Sequence, residues 1–272
     1  MKRKFLFLIL SAVILNVTPL AFAQVTTDKA EVNLIVKPSE KITGSIVLKN
    51  TSNKDILVKA YFEDWTYVEP FDGRREPRPL GSTPWSLGGS ASVTPSEFIL
   101  PALGKFPVIY TINVPADAEG GYYGILFLER GSAVPKTTGA GREVGLSVKV
   151  RTGPLFFLET KNKNKKAKIG DISVVKEGMQ GSVLNEGNVL LISKNSCHIM
   201  NAKGLVVRRV EHQRYLPPGE EASFTVSLPG DLSPGTYTLL INYAIKESKP
   251  LVKEVEFTKD DSGEIKILRQ KD

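Results

Sequence analysis

The feature that most constrains this chain is an internal repeat. The stretch Ile99-Leu100-Pro101-Ala102-Leu103-Gly104, then Phe106-Pro107-Val108, leads to Val114-Pro115-Ala116-Asp117 and Gly121-Tyr122. Later, Tyr215-Leu216-Pro217-Pro218-Gly219 leads through Phe224-Thr225-Val226 to Leu228-Pro229-Gly230-Asp231 and Gly235-Thr236-Tyr237. Leu100 and Leu216 lie 116 residues apart, Pro115 and Pro229 114, and Tyr122 and Tyr237 115. A shift of that size is one small β domain, too long for a solenoid unit. The chain reads as a duplicated module.

Both copies carry the period of strands. Phe106, Val108, Tyr110, Ile112 and Val114 alternate with their neighbours, as do Val144, Leu146, Val148 and Val150. In the second copy Phe224, Val226 and Leu228 alternate, followed by Tyr237, Leu239, Ile241, Tyr243 and Ile245. Ile42, Gly44, Ile46 and Leu48 form another such run, and Ile56, Val58, Ala60 and Phe62 the next. Period two puts one set on a core and the other towards water. Short strands at turn-punctuated intervals predict an all-β chain of two immunoglobulin-like β-sandwich domains in tandem, without the antibody Cys–Trp–Cys pattern.

The boundaries follow from changes of texture. Lys2, Arg3 and Lys4, the apolar run Phe5 to Leu15, and Ala21-Phe22-Ala23 have the three parts of a signal peptide, with cleavage before Gln24. The expected division is a signal peptide over 1–23, a first domain over 24–160, a basic linker over 161–168, a second domain over 169–259 and a polar tail over 260–272. The leader's apolar run is shorter than a membrane span and no later stretch reaches that length. An exported chain, periplasmic or at the cell surface, is expected, with no span after cleavage.

Composition excludes several chemistries. One Cys and two His leave no ligand set for zinc or an iron–sulfur cluster, and no internal disulfide. Cys197 reads as a small buried hydrophobe, and His198 and His212 as packing or surface residues. No nucleophile elbow, phosphate loop or S-x-x-K set is present, so no enzyme, catalytic residue, metal or cofactor is expected. The formal charge is +7, and three of those charges fall in the leader, leaving an excess of four. The run Lys161 to Lys168 lacks the interleaved aromatics of a nucleic-acid platform, so it reads as solvated chain and no nucleic acid is expected. Asn50-Thr51-Ser52 is a glycosylation sequon on an expected turn.

At this point the residues bear a resemblance. Ser45 to Asn50, the segment Val93-Thr94-Pro95-Ser96-Glu97-Phe98-Ile99-Leu100-Pro101, the stretch Val114 to Phe127, and Leu146 to Phe157 together resemble the N-terminal domain of P-pilus-type (fimbrial) periplasmic chaperones. The second module also resembles the C-terminal part of WxL-interacting cell-surface proteins. The chaperone resemblance implies an exported protein subunit as partner, held by β-strand pairing through the last strand of the first domain. The implied donors are Val144, Leu146, Val148 and Val150; the alternative is that these are simply the core face of a terminal strand. The resemblance also implies a basic pair in the interdomain cleft that anchors the subunit's carboxylate. Val32 to Val36 offers no Arg, and the nearest cations in sequence are Lys37 and Arg151.

A rival reading is a structural or adhesive cell-envelope protein. The stretch Thr66 to Glu97 resists a continuous strand assignment and carries Phe71, Arg74, Arg75, Arg78 and Trp85, residue types common in binding hot spots. It is either a recognition loop or a solvated loop with Trp65 and Trp85 packed beneath it. The partner's identity and the oligomeric state are not written in the sequence.

Overall fold

The computed structural model describes residues 24–132, 148–176 and 178–272. The first sandwich comprises β1 (Val25–Thr27), β2 (Glu31–Val36), β3 (Lys41–Asn50), β4 (Ile56–Tyr67), β5 (Arg75–Arg78), β6 (Ala91–Thr94), β7 (Glu97–Leu100), β8 (Lys105–Asn113), β9 (Gly121–Ser132), β10 (Val148–Thr152) and β11 (Leu155–Thr160). The second comprises β12 (Ala167–Ile169), β13 (Ser173–Val175), β14 (Gly178–Asn185), β15 (Leu191–Asn201), β16 (Val206–Leu216), β17 (Glu221–Ser227), β18 (Gly235–Ile245), β19 (Leu251–Lys259) and β20 (Ile265–Lys271). The expected all-β class and paired sandwiches are what the chain forms.

In the first sandwich a four-stranded sheet, β1-β3-β8-β6, faces a seven-stranded one. The larger runs β2-β11-β9-β4-β5, with β10 also on β9 and β7 on β4. The second sandwich pairs a sheet built on β14, with β12, β13 and β17, against β16-β15-β18-β19-β20. The alternating sets read from the sequence are those that turn inward: Val108, Tyr110 and Ile112 on β8, and Tyr237, Leu239, Ile241, Tyr243 and Ile245 on β18, are all buried. Burying each such aliphatic side chain is worth about 1.5–3 kcal/mol.

The duplication extends to a buried asparagine. Asn50 ends β3 and Asn185 ends β14, and both are almost wholly inaccessible. The Asn50 amide donates to the carbonyls of Leu100 at 3.3 Å, Pro101 at 3.0 Å and Lys54 at 2.8 Å. The Asn185 amide donates to those of Leu216 and Val189, both at 2.9 Å. Each carboxamide oxygen accepts a turn N–H two residues on, from Ser52 or Gly187. Leu100 and Leu216 are the residues that the repeat had aligned. Such turns carry carbonyls that no ladder satisfies, and an inward amide ties them to the facing sheet.

Three sequence expectations change. The segment expected as a polar tail contains β20, paired with β19; the Gln270 carboxamide bonds both the N–H and the C=O of Ile172, at 2.8 and 2.9 Å. Its polarity is that of an edge strand wet on one face. The segment expected as a basic linker enters β12 at Ala167, and three of its lysines, Lys163, Lys165 and Lys166, meet carboxylates. The sequon asparagine, expected on a turn, ends β3 and points inward.

Candidate functional site

Trp65, Tyr67, Tyr123 and Phe157 stand on the face of the larger sheet that the second module covers. Trp65 on β4 meets Tyr67, Tyr123 and Phe157 edge-on, with centroids 5.0, 6.1 and 5.4 Å away. Tyr67 stacks on Tyr215 of β16 at 4.7 Å, and the Phe71 carbonyl accepts the Tyr215 N–H at 2.8 Å. Burial pushes the Tyr67 phenol up to about 12. The Tyr123 hydroxyl accepts the Leu190 N–H at 2.7 Å. At Gly120, whose φ is +72°, an added Cβ would lie 2.2 Å from the Asn188 carbonyl oxygen. One continuous apolar cluster therefore spans both sandwiches.

The stretch 66–97 is part of that junction. Asp64 is fully buried on β4 and gathers the loop: its carboxylate accepts the N–H groups of Ser82 and Thr83 at 2.9 and 3.0 Å and the Ser86 hydroxyl at 2.6 Å. This draws Trp85 inward, where its carbonyl accepts the Tyr123 N–H at 2.9 Å. Arg75 lies 5.8 Å over the rings of both Trp65 and Tyr67, and exposed Arg74 donates to the Glu69 carbonyl. Trp85 thus packs as core, and the loop braces the two modules.

Between the modules opens a cleft of about 860 Å³, lined among others by Asn33, Ile35 and Phe157 on one wall and Lys194, Gln213 and Lys246 on the other. Lys163 reaches Glu159 at 2.7 Å and Glu247 at 3.4 Å, and Lys165 reaches Glu247 at 2.9 Å. Hydrogen bonding from Lys165 and then its charge hold the Glu247 carboxyl below the usual range, and the bond to Glu159 raises the Lys163 ammonium. The sequence reading missed these cleft cations because the carboxylate they share, Glu247, is over 80 residues away in the chain; the lysine run itself was the visible signal.

Along the other half of β9 lies β10. The register pairs Val148 with Ser132 through Thr152 with Leu128, while β11 takes the remainder of β9. The chain passes between them at Gly153, where a Cβ would lie 1.7 Å from the Leu126 carbonyl oxygen. β2 runs parallel to β11 as far as the Leu155–Glu31 pair and covers its outer edge only to there. Among the described residues, β10 is bonded on one side only. Val150 is 37% exposed. Val144 and Leu146 lie outside the described residues, and of Val148 only the backbone register is described.

Arg151 and Lys37 are not brought together. Lys37 follows Val36, which pairs with Thr160, so the two cations stand at opposite ends of the β10–β11 run, roughly 30 Å apart at strand rise. The Lys37 N–H bonds the Glu40 carboxylate. Arg151 is engaged with Glu129 at 3.1 Å and Glu63 at 3.5 Å. The basic pair implied for the cleft is therefore not formed by these two residues.

No family model and no curated protein matches the chain. Solved structures do. The class 5 fimbriae chaperone CfaA aligns over 84% of this chain and 97% of its own, with TM-score 0.50 and 15% identity. A chaperone–tip adhesin complex of CFA/I fimbriae biogenesis aligns over 85% of this chain and 97% of its own, with TM-score 0.51 and 16% identity. At such identity the likeness is one of architecture. The chain has the two-sandwich fold of the fimbrial chaperones.

Proposed function

We propose that this protein is an exported, chaperone-like binding protein that assists the folding or assembly of fimbrial or other cell-surface polypeptides. The observation that carries the reading is the edge of β10, bonded on one side only among the described residues, with Val150 of that strand 37% exposed. A free strand edge offers unpaired N–H and C=O groups, and alternate side chains supply selectivity, which is the chemistry of β-strand addition. The fold shared with the class 5 fimbriae chaperone CfaA and with a chain of a chaperone–tip adhesin complex supports the same reading, and the leader-like first 23 residues support export.

The partner is an exported subunit that lacks a strand of its own, and the cleft beside β11 receives its body. No catalytic step is part of this role. The test is a pull-down from the host envelope with tagged mature protein and with Val150→Asp, at a position 37% exposed, its folding checked by circular dichroism. Stoichiometric recovery of one exported polypeptide by the wild type, lost in the variant, is the expected result. Equal recovery by a folded Val150→Asp protein would overturn strand pairing.

A further inference from the structure

We propose that Glu129 is a positioning residue for the β10 edge, its single carboxylate holding both outward cations of that strand so that the edge is presented in one register. This rests on the reading of β10 as the partner-binding strand.

A strand with one neighbour has half the ladder of an interior strand and belongs to the least stable part of a fold. If its edge frays, only the ordered fraction binds, and the apparent affinity falls by that fraction. Two devices oppose fraying at β10. At its lower end the chain exits through Gly153, where the close approach to Leu126 leaves the backbone no latitude. Further along, the outward side chains are tied down. Arg151 faces Glu129 directly across the ladder. Its Nε meets Oε2 at 3.1 Å, while Lys149, two residues along the same face, reaches Oε1 at 3.2 Å.

The surroundings favour this arrangement over a loose surface pair. The Glu129 side chain is 10% exposed, and the Tyr61 hydroxyl donates to Oε2 at 2.7 Å. The Arg151 guanidinium lies 5.4 Å over Phe127 and 5.8 Å over Tyr61, with Glu63 closing the other side at 3.5 Å. Lys59 stands opposite Glu129 on β4 but is paired with Glu97 at 3.5 Å. The carboxylate's ionic contacts therefore go to β10. Because successive side chains alternate, pinning residues 149 and 151 to this face fixes Val150 on the other.

Hydrogen exchange on the free mature chain reads the positioning directly. Glu129→Gln keeps the shape and the acceptor for Tyr61 but removes the charge; those amides of residues 149–152 that bond to β9 are expected to exchange about tenfold faster, with those linking β9 to β4 unchanged. Arg151→Met, which attacks the same contact from the strand side, should do likewise. Binding is followed with a labelled synthetic peptide of alternating valine and threonine capped by lysines, and the loss in Glu129→Gln, again about tenfold, should appear in the association rate. Unchanged exchange in both variants overturns the proposal. Faster exchange with unaltered peptide binding overturns the positioning role, and if Val150→Asp then abolishes binding the strand reading survives. If the peptide binds Val150→Asp as it binds the wild type, or fails to bind the wild type, the strand reading falls and this proposal with it.

Discussion

The hydroxyl of Tyr123, on β9 of the first sandwich, accepts the backbone N–H of Leu190 in the second at 2.7 Å. Burial raises its phenol well above the ordinary value, so the group stays neutral at any physiological pH. Tyr123→Phe keeps the ring among Trp65 and Phe157 but leaves a buried N–H without a partner. A loss of about 1–3 kcal/mol is expected in urea unfolding, read as a lower midpoint. A midpoint unchanged from wild type would mean that this hydrogen bond adds nothing to the junction.

Asp64 organises the 79–88 segment from inside the sandwich, through four contacts to Ser82, Thr83 and Ser86. Asp64→Ala should cost about 3 kcal/mol, since several buried donors are orphaned together. It should also release Trp85, whose fluorescence would shift to the red before global unfolding. Retention of the native spectrum to the main transition would count against this role.

Acid should weaken the junction in a defined window. Glu247 carries a pKa held below 4.5 by hydrogen bonding from Lys165 first, then by its charge and by Lys163. A depressed carboxylate contributes stability that is whole above its unfolded pKa and is lost as pH falls through the folded one. The wild-type melting temperature should therefore fall below about pH 4.5, and Glu247→Gln should give a flatter curve there while starting lower at pH 7. Parallel curves for the two proteins would show that the cluster contributes nothing.

Asn50 should resist glycosylation despite its sequon. Its amide nitrogen is committed to three carbonyls and its exposure is nil. Expression in a host that glycosylates Asn-x-Ser sites should yield chain of unshifted mass at this position. Asn50→Ala should destabilise the first sandwich by about 2 kcal/mol, and Asn185→Ala the second. Occupied Asn50 in a folded protein would contradict the inward placement.

What could be read from the sequence was whatever depends on near neighbours. The alternation of Val108, Tyr110 and Ile112 is local, and so are the turn signals around Leu100-Pro101 and Leu216-Pro217; together they gave two sandwiches and their repeat. The Asn50 and Asn185 caps were hidden because an asparagine in a turn looks the same whether it faces water or a facing sheet. Residues 66–97 looked structureless because what orders them, Asp64 from beneath and Tyr215 from the other module, leaves no period in the chain. The same holds for Lys163 and Lys165, whose partner Glu247 is over 80 positions away. β20 was overlooked because a wet edge strand carries few apolar residues. At the candidate site the alternation of Val148 and Val150 was legible as a pattern, but the contacts of Arg151 and Lys149 with Glu129 were not, since they run across a ladder to a residue about 20 positions away.

The parallel pairing of β2 with β11 sets an order of events for the chain as it folds. Val32 lies beside Phe156, so the second strand of the first sandwich must wait for almost the whole of that module before its neighbour exists. Contacts of such long sequence separation slow folding, because a large loop is closed before they form. A chain emerging from its N-terminus, whether from a ribosome or through a membrane pore, therefore holds a waiting edge of its own until residue 160 arrives. Until then the nascent module is itself a polypeptide in want of a strand, and self-pairing in trans is the error that rapid emergence avoids.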